Sequence, residues 1–231
     1  MNLRPVLFGL ALAVALPAFA AEPFPGLKKV EIKDYFPVRI FYDPQITQLV
    51  DKPLNADRPE DDGSPIVTRV LKTRIDRGKS EEVFIDFDPG PSVDPEIVVT
   101  RVGSKEPAGY VPGLNFYIPG TGAIYASGHT NNNFDTRTKY VLQGDKLVES
   151  KQPFYWVGLE SKAKKYLVLY SGKDQKEVVA RLPKGSAVTV VLNEGESWYL
   201  LKTPFGLVGW LKIEVLSQEA DTIEGLFFAG D

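Results

Sequence analysis

The stretch GESWYLLKTPFGLVGWLK, residues 195–212, holds two tryptophans, a tyrosine, a phenylalanine and three glycines in eighteen positions. Side chains alternate between the two faces of a strand, so Val208 and Trp210 share one face and Leu207 and Gly209 share the other. A unit of about 60 residues has a small core, in which every large aromatic side chain matters. We therefore predict that Trp210 is a core residue.

The rest of the chain repeats strand-like runs rich in Val, Ile, Tyr and Phe. Eighteen prolines and twenty glycines leave few windows long enough for three helical turns. Several runs alternate with a period of two, and turn residues separate them at the spacing typical of sandwiches and barrels. The sequence predicts an all-β protein, with strands in 36–42, 66–75, 82–87, 96–102, 113–118, 138–143, 154–159, 166–171, 178–182, 187–192 and 198–203.

One segment, residues 43–65, is polar and contains several prolines. It predicts a long loop with one helical turn around 46–50. Its acidic run, Glu60 to Asp62, is interpreted as a solvated loop tip.

The segment from Tyr166 to Lys212 resembles the bacterial SH3-like domain of exported envelope proteins. The resemblance implies a small β-barrel. Tyr170 and Lys173 depart from the family pattern, which often has Arg and Pro there, so the first turn is expected to differ. The positions that carry the resemblance are Val168, Ser171, Gly172, Val178, Val179, Leu182, Lys184, Gly185, Val188, Val190, Trp198, Tyr199, Gly206, Gly209 and Trp210.

The same resemblance implies contact with cell-wall glycopeptide or with an envelope protein, through aromatic residues beside the barrel's loops. We predict a binding face of Tyr170, Glu196, Trp198 and Phe205. Trp198 follows the turn NEGES and is expected to lie at an exposed edge.

The domain organisation follows from these patterns. Residues 21–157 carry no family pattern and are predicted to form a β-sandwich or barrel-like domain. The SH3-like barrel is predicted to follow at 158–217, and an acidic tail at 218–231.

A candidate second site lies in the N-terminal domain, around His129, Asn131, Asn133 and Asp135. The three alternating oxygen-bearing residues resemble the start of a calcium loop. However, position six is Thr136 rather than glycine, and position twelve carries no acid. Asparagine also tolerates left-handed backbone and favours turns. We interpret the segment as an Asn-rich turn, with no metal and no cofactor.

Catalytic signatures are weak. His129 is the only histidine and could serve as a general base, with Ser127 and Asp135 nearby in sequence. Asp86 and Asp88 share one strand face, and we interpret them as solvated edge residues rather than as the carboxylate pair of a glycosidase.

The first residues predict export. One early charge, Arg4, precedes an apolar run over 6–16, and Ala18 and Ala20 give the A-x-A pattern that a signal peptidase accepts. The run is shorter than the roughly 20 residues of a spanning helix. We predict a cleaved signal peptide at 1–20, a periplasmic or secreted mature protein, and no membrane span after cleavage.

Charge and cysteine content limit the remaining possibilities. The whole chain carries a formal charge of −3, which gives no basic surplus for nucleic acid. The absence of cysteine excludes disulfides, thiol catalysis and thiolate metal ligands. The sequence thus favours a non-enzymatic exported binding or scaffold protein. The alternative is an envelope enzyme with a site near His129, for which the SH3-like domain is a targeting module.

Overall fold

The computed structural model describes residues 23–54, 67–90, 92–195, 197–214 and 218–229. The predicted signal peptide and the acidic run at 60–62 lie outside these residues, as does Glu196 of the predicted binding face.

The described residues form strands, turns and loops without a helix, which confirms the all-β class. They accordingly contain no helix that could cross a membrane. Each predicted strand run overlaps an observed strand. The strands are β1 Lys28–Ile32, β2 Val38–Tyr42, β3 Gln48–Pro53, β4 Thr68–Thr73, β5 Val83–Asp88, β6 Glu96–Arg101, β7 Gly109–Pro112, β8 Asn115–Ile118, β9 Ile124–Ser127, β10 Asn132–Asn133, β11 Thr138–Gln143, β12 Lys146–Glu149, β13 Tyr155–Lys162, β14 Leu167–Tyr170, β15 Val178–Leu182, β16 Ala187–Glu194, β17 Trp198–Lys202, β18 Val208–Lys212 and β19 Phe228–Ala229.

The helical turn predicted around 46–50 is wrong. Residues 48–53 form β3, an edge strand that pairs antiparallel with β4. The register shifts between Leu49 and Lys52, and Asp51 between them has a φ of 51°. Pairing with β4 supplies the hydrogen bonds that hold this polar segment extended, an influence that local composition does not reveal.

Two sheets enclose the first core. The first sheet has the order β1-β2-β8-β9-β11-β12, and the second has the order β3-β4-β5-β6-β7. Their inward residues form one buried cluster, to which the first sheet contributes Ile40 and Phe116 and the second contributes Leu71 and Ile85. The sheets therefore pack face to face around this core.

The third sheet has the order β13-β16-β17-β18-β14-β15 and covers a separate core. Tyr199 and Leu201 are both fully buried there, together with Leu169 and Val190. The strand β13 begins at Tyr155 and pairs with β16 along its length.

The C-terminal segment 218–229 packs on this second core. Ala220, Ile223 and Leu226 are buried members of it. The strand β19 pairs with β10, and Phe134 from the loop after β10 enters the same core. Two acids of the segment form ion pairs with lysines that follow β13, Glu219 with Lys164 and Asp221 with Lys165. The segment predicted as an acidic tail is thus a structural part of the second core.

The prediction that Trp210 is a core residue is wrong. The alternation itself is correct: Gly209 is buried and Trp210 points the other way. In β17 the same alternation buries Tyr199 and leaves Trp198 and Leu200 half-buried on the outer face. Tyr199 is therefore the aromatic residue that fills the core, and both tryptophans of the stretch 195–212 lie outside it.

Candidate binding surface

An apolar row crosses the outer face of the third sheet from one edge to the other. Successive members are paired across neighbouring strands in register. We call this row the tryptophan stripe, and its members are Trp156, Leu192, Leu200, Trp210, Tyr170 and Val178. Trp156 is 57% exposed and Val178 is 39% exposed, while the four central members are half-buried. Contiguous apolar patches on a protein surface are typical of interaction sites, so this row is a candidate binding surface.

Glycines help to fix two parts of this arrangement. A Cβ on Gly209 would lie 2.8 Å from the Cβ of Leu169, so β18 can approach β14 closely only without a side chain there. That approach places Trp210 opposite Tyr170. At the Trp156 end of the stripe, Gly158 has a φ of 65°, and a Cβ on it would lie 2.5 Å from Nε1 of Trp156. The Trp156 ring therefore lies against the Gly158 backbone.

Charged side chains border the stripe. The ammonium of Lys173 lies 4.9 Å from the ring centre of Trp210, within cation–π range, and it also forms an ion pair with Glu194. Trp198 is paired in register with Glu194 on one side and with Lys212 on the other. The stripe is thus bordered by lysines that are each paired with a carboxylate, Lys173 with Glu194 and Lys212 with Glu214.

The structure brings together only part of the predicted binding face. Tyr170 belongs to the stripe, and Trp198 lies on the same outer face, two residues from Leu200. Phe205 is 89% exposed in the turn between β17 and β18, at the opposite end of that hairpin from Trp198. Sequence reasoning missed Trp156 and assigned Trp210 to the core, because alternation alone does not show which face of a strand is buried.

Both tryptophans of the hairpin should be replaceable at small cost. Trp198→Ala and Trp210→Ala should each lower the free energy of unfolding by about 1 kcal/mol or less, because neither change opens a cavity in the core. Urea unfolding followed by circular dichroism measures this. A loss of several kcal/mol for Trp210→Ala would mean that this ring is part of the core, and it would contradict the assignment of Trp210 to the outer face.

The predicted second site lies between β9 and β11, around the short strand β10. The Asp135 carboxylate accepts a hydrogen bond from the Gly128 N–H at 2.8 Å and pairs with Arg137 at 3.3 Å. Asn131 has a left-handed φ of 49°, and its amide donates to Asp94. The amide oxygen of Asn133 is buried without a hydrogen-bond partner among the described residues. In the described part of the chain, no three His, Cys, Asp or Glu side chains form a metal-binding group.

His129 packs against the C-terminal segment. Its ring meets Phe227 edge-on, with ring centres 4.6 Å apart, and it makes no hydrogen bond to another described residue. Neither Ser127 nor Asp135 is therefore joined to it as a catalytic partner. Burial lowers the pKa of His129 below its ordinary value of 6.5, and the Asp135 carboxylate only partly offsets this.

This lowered pKa predicts a pH-dependent stability. Below about pH 6.5 the unfolded chain takes up a proton on His129 that the folded chain resists. The stabilisation by neutral His129 is therefore full above pH 6.5 and is lost as the pH falls towards the lower folded pKa. His129→Gln should reduce the decrease in melting temperature between pH 7.5 and pH 5. These two pH values lie about one unit or more on either side of the ordinary histidine pKa of 6.5. An unchanged decrease in the variant would contradict this.

The two carboxylates of β5 have different environments. Asp86 is only 4% exposed, and Arg69 donates two hydrogen bonds to it, at 2.8 and 3.0 Å. The interpretation of Asp86 as a solvated edge residue is wrong, because β5 is an inner strand and Arg69 covers the carboxylate. Asp88 accepts a hydrogen bond from the Gly90 N–H and pairs in register with Glu96. Burial, together with the charge of Asp88, raises the pKa of Glu96.

Comparisons of the chain with protein-family models, with curated proteins and with solved structures found no match.

Proposed function

We propose that the chain is a non-enzymatic binding protein of the bacterial cell envelope, which contacts cell-wall glycopeptide through the tryptophan stripe. The observation that carries the proposal is the outward orientation of the stripe. Trp156, Trp210 and Tyr170 lie in register on one face although the core beneath them is filled by other side chains.

The dimensions and chemistry of the stripe fit an extended ligand. Five strand spacings give a row about 24 Å long, which is enough for several sugar rings in line. Flat aromatic side chains offer large apolar contact at little conformational cost. Residues 160–216 contain nine basic and six acidic side chains, a formal charge of +3 that suits the carboxylates of a glycopeptide.

Two features of the sequence support the location and the ligand class. The pattern at 1–20 is typical of a secretory signal peptide. The segment from Tyr166 to Lys212 resembles SH3-like domains of exported envelope proteins, which implies a binding role for this part of the chain.

Co-sedimentation with purified, insoluble cell-wall glycopeptide tests the proposal. The mature protein should pellet with the glycopeptide, and Trp210→Ala should weaken this association by about tenfold or more, as expected for an aromatic anchor. Phe205→Ala is the matched control, because it removes an aromatic ring that is more exposed but lies away from the stripe. We expect this control to pellet like the unaltered protein.

Two results would overturn the proposal. One is a mature protein that stays in the supernatant, and this outcome would favour an envelope protein as the partner. The other is an equal weakening of the association with glycopeptide by Phe205→Ala and Trp210→Ala, which would mean that the stripe is not the binding surface.

A further inference from the structure

A second aromatic row lies on the outer face of the first sheet, remote in sequence from the tryptophan stripe. Register pairs Lys29 with Phe41, Phe41 with Tyr117, Tyr117 with Tyr125, and Tyr125 with Lys139. The neighbours of these residues along each strand, such as Phe116 and Ile124, are buried in the first core. The row therefore faces outward by strand alternation, with an aromatic centre and a lysine at each end.

The N-terminal segment converts one end of this row into a cavity. Phe24 packs on Tyr125 with ring centres 4.7 Å apart and on Tyr117 at 5.6 Å. On the other side of Tyr117, Phe41 stacks nearly parallel at 4.6 Å. The cavity beside Phe24 has a volume of about 370 Å³. This volume falls within the range of sites for small molecules, which are concave and largely apolar with a few polar groups.

Polar groups at the cavity wall are available to a ligand. Lys139, half-buried, forms no ion pair with a described residue, and the hydroxyls of Tyr125 and Ser127 make no hydrogen bond to one. Arg137 also lines the wall, and it pairs with Asp135 at 3.3 Å. The local charge balance is therefore one uncompensated cation, Lys139, beside stacked aromatic rings.

The opposite end of the row differs. Lys29 forms an ion pair with Glu31 at 3.2 Å and does not line the cavity. The row thus offers two lysines in equivalent register positions, of which only Lys139 lines the concave aromatic surface and forms no ion pair with a described residue. A comparison of the two lysines therefore separates the effect of the cavity on binding from the effect of a lysine charge alone.

We propose that this cavity binds a small carboxylate whose ring is held by the aromatic side chains and whose charge is met by Lys139. The ring lies against Tyr125 and Phe24, and the carboxylate accepts hydrogen bonds from the Lys139 ammonium and the Ser127 hydroxyl. Both an aromatic acid and an acidic sugar have this chemistry. The site is independent of the proposed function, since no residue of the tryptophan stripe lines it.

Titration calorimetry on the mature full chain tests the site, with phenylpropionate and glucuronate as the two probes. The neutral partners are phenylpropionamide and methyl glucoside. At least one acid should bind, and about tenfold more tightly than its neutral partner, as expected for a hydrogen bond to a charged group. Binding of phenylpropionate would identify the ligand as an aromatic acid, and binding of glucuronate would identify it as an acidic sugar.

Three variants locate the binding. Lys139→Gln should weaken binding of the acid by about tenfold and leave that of the neutral partner unchanged. Tyr125→Ala should weaken both. Lys29→Gln is the matched control and should change neither, because this lysine lies outside the cavity.

The proposal is overturned if neither acid binds at millimolar concentration, or if acid and neutral partner bind alike. It is also overturned if Lys29→Gln weakens the acid as much as Lys139→Gln does. A circular dichroism spectrum and a melting temperature for each variant show whether it is folded, and an unfolded Tyr125→Ala is replaced by Tyr125→Leu, which keeps apolar volume but removes the ring.

Discussion

Tyr199→Ala should lower the free energy of unfolding by about 3–5 kcal/mol, the range for removal of a large buried aromatic side chain. Tyr199 is fully buried in the second core, and its ring meets Phe134 edge-on with centres 6.3 Å apart. Chemical denaturation of the mature protein measures the loss. A loss below about 1 kcal/mol, the usual range for a surface position, would mean that this residue does not fill the core.

The conservative variant isolates the hydroxyl. The Tyr199 hydroxyl is buried without a hydrogen-bond partner among the described residues, and burial raises its pKa from 10.0 to about 12. Tyr199→Phe should therefore leave stability unchanged or raise it slightly near neutral pH. Between pH 10 and 12 the unfolded chain loses this proton while the folded chain keeps it, so native stability falls as the pH rises. The Tyr199→Phe variant should therefore lose less stability than the unaltered protein over this pH range.

Arg69→Met should also lower the free energy of unfolding strongly, by about 3 kcal/mol. The change leaves the Asp86 carboxylate buried without its partner, which typically costs more than the ion pair contributed. Arg69 also lies over the Phe84 ring at 3.7 Å, so part of the loss comes from packing. Denaturation curves at pH 7 measure the effect.

The double variant Arg69→Met with Asp86→Leu provides the control. Replacing both partners with apolar side chains removes the unpaired charge, so it should recover most of the lost stability. If the double variant is as unstable as Arg69→Met alone, the loss comes from packing around Phe84 and the electrostatic explanation is wrong.

The sequence predicts many of the strands because hydrophobic alternation is a local property, but it gives no run for short or polar strands such as β1, β7 and β12. It does not decide which face of β17 is inside, since Trp198 and Leu200 on one face are as apolar as Tyr199 and Leu201 on the other. The contact of Gly209 with Leu169 decides this, and it joins residues forty positions apart. The larger side chain favoured Trp210 as the core residue, whereas the structure buries Tyr199 there.

The C-terminal segment shows a second limit of prediction from the sequence. Its acids suggested a tail, but Ala220, Ile223 and Leu226 follow no strand period, and their burial depends on the backbone bonds that hold the segment. Lys164 N–H donates to the Thr222 carbonyl at 2.8 Å, and Glu224 N–H donates to the Lys162 carbonyl at 3.1 Å. The cavity beside Phe24 has the same origin, because its walls come from strands and connecting segments brought together only by the fold.

Acrylamide quenching of native tryptophan fluorescence, with and without soluble glycopeptide fragments, is the most direct test of the central claim. The chain has three tryptophans, and the structure places all three outside the cores. Quenching of the free protein should therefore be efficient, and saturating fragments should reduce it markedly as the stripe is covered. Weak quenching in the free protein, or quenching that the fragments leave unchanged, would contradict the account.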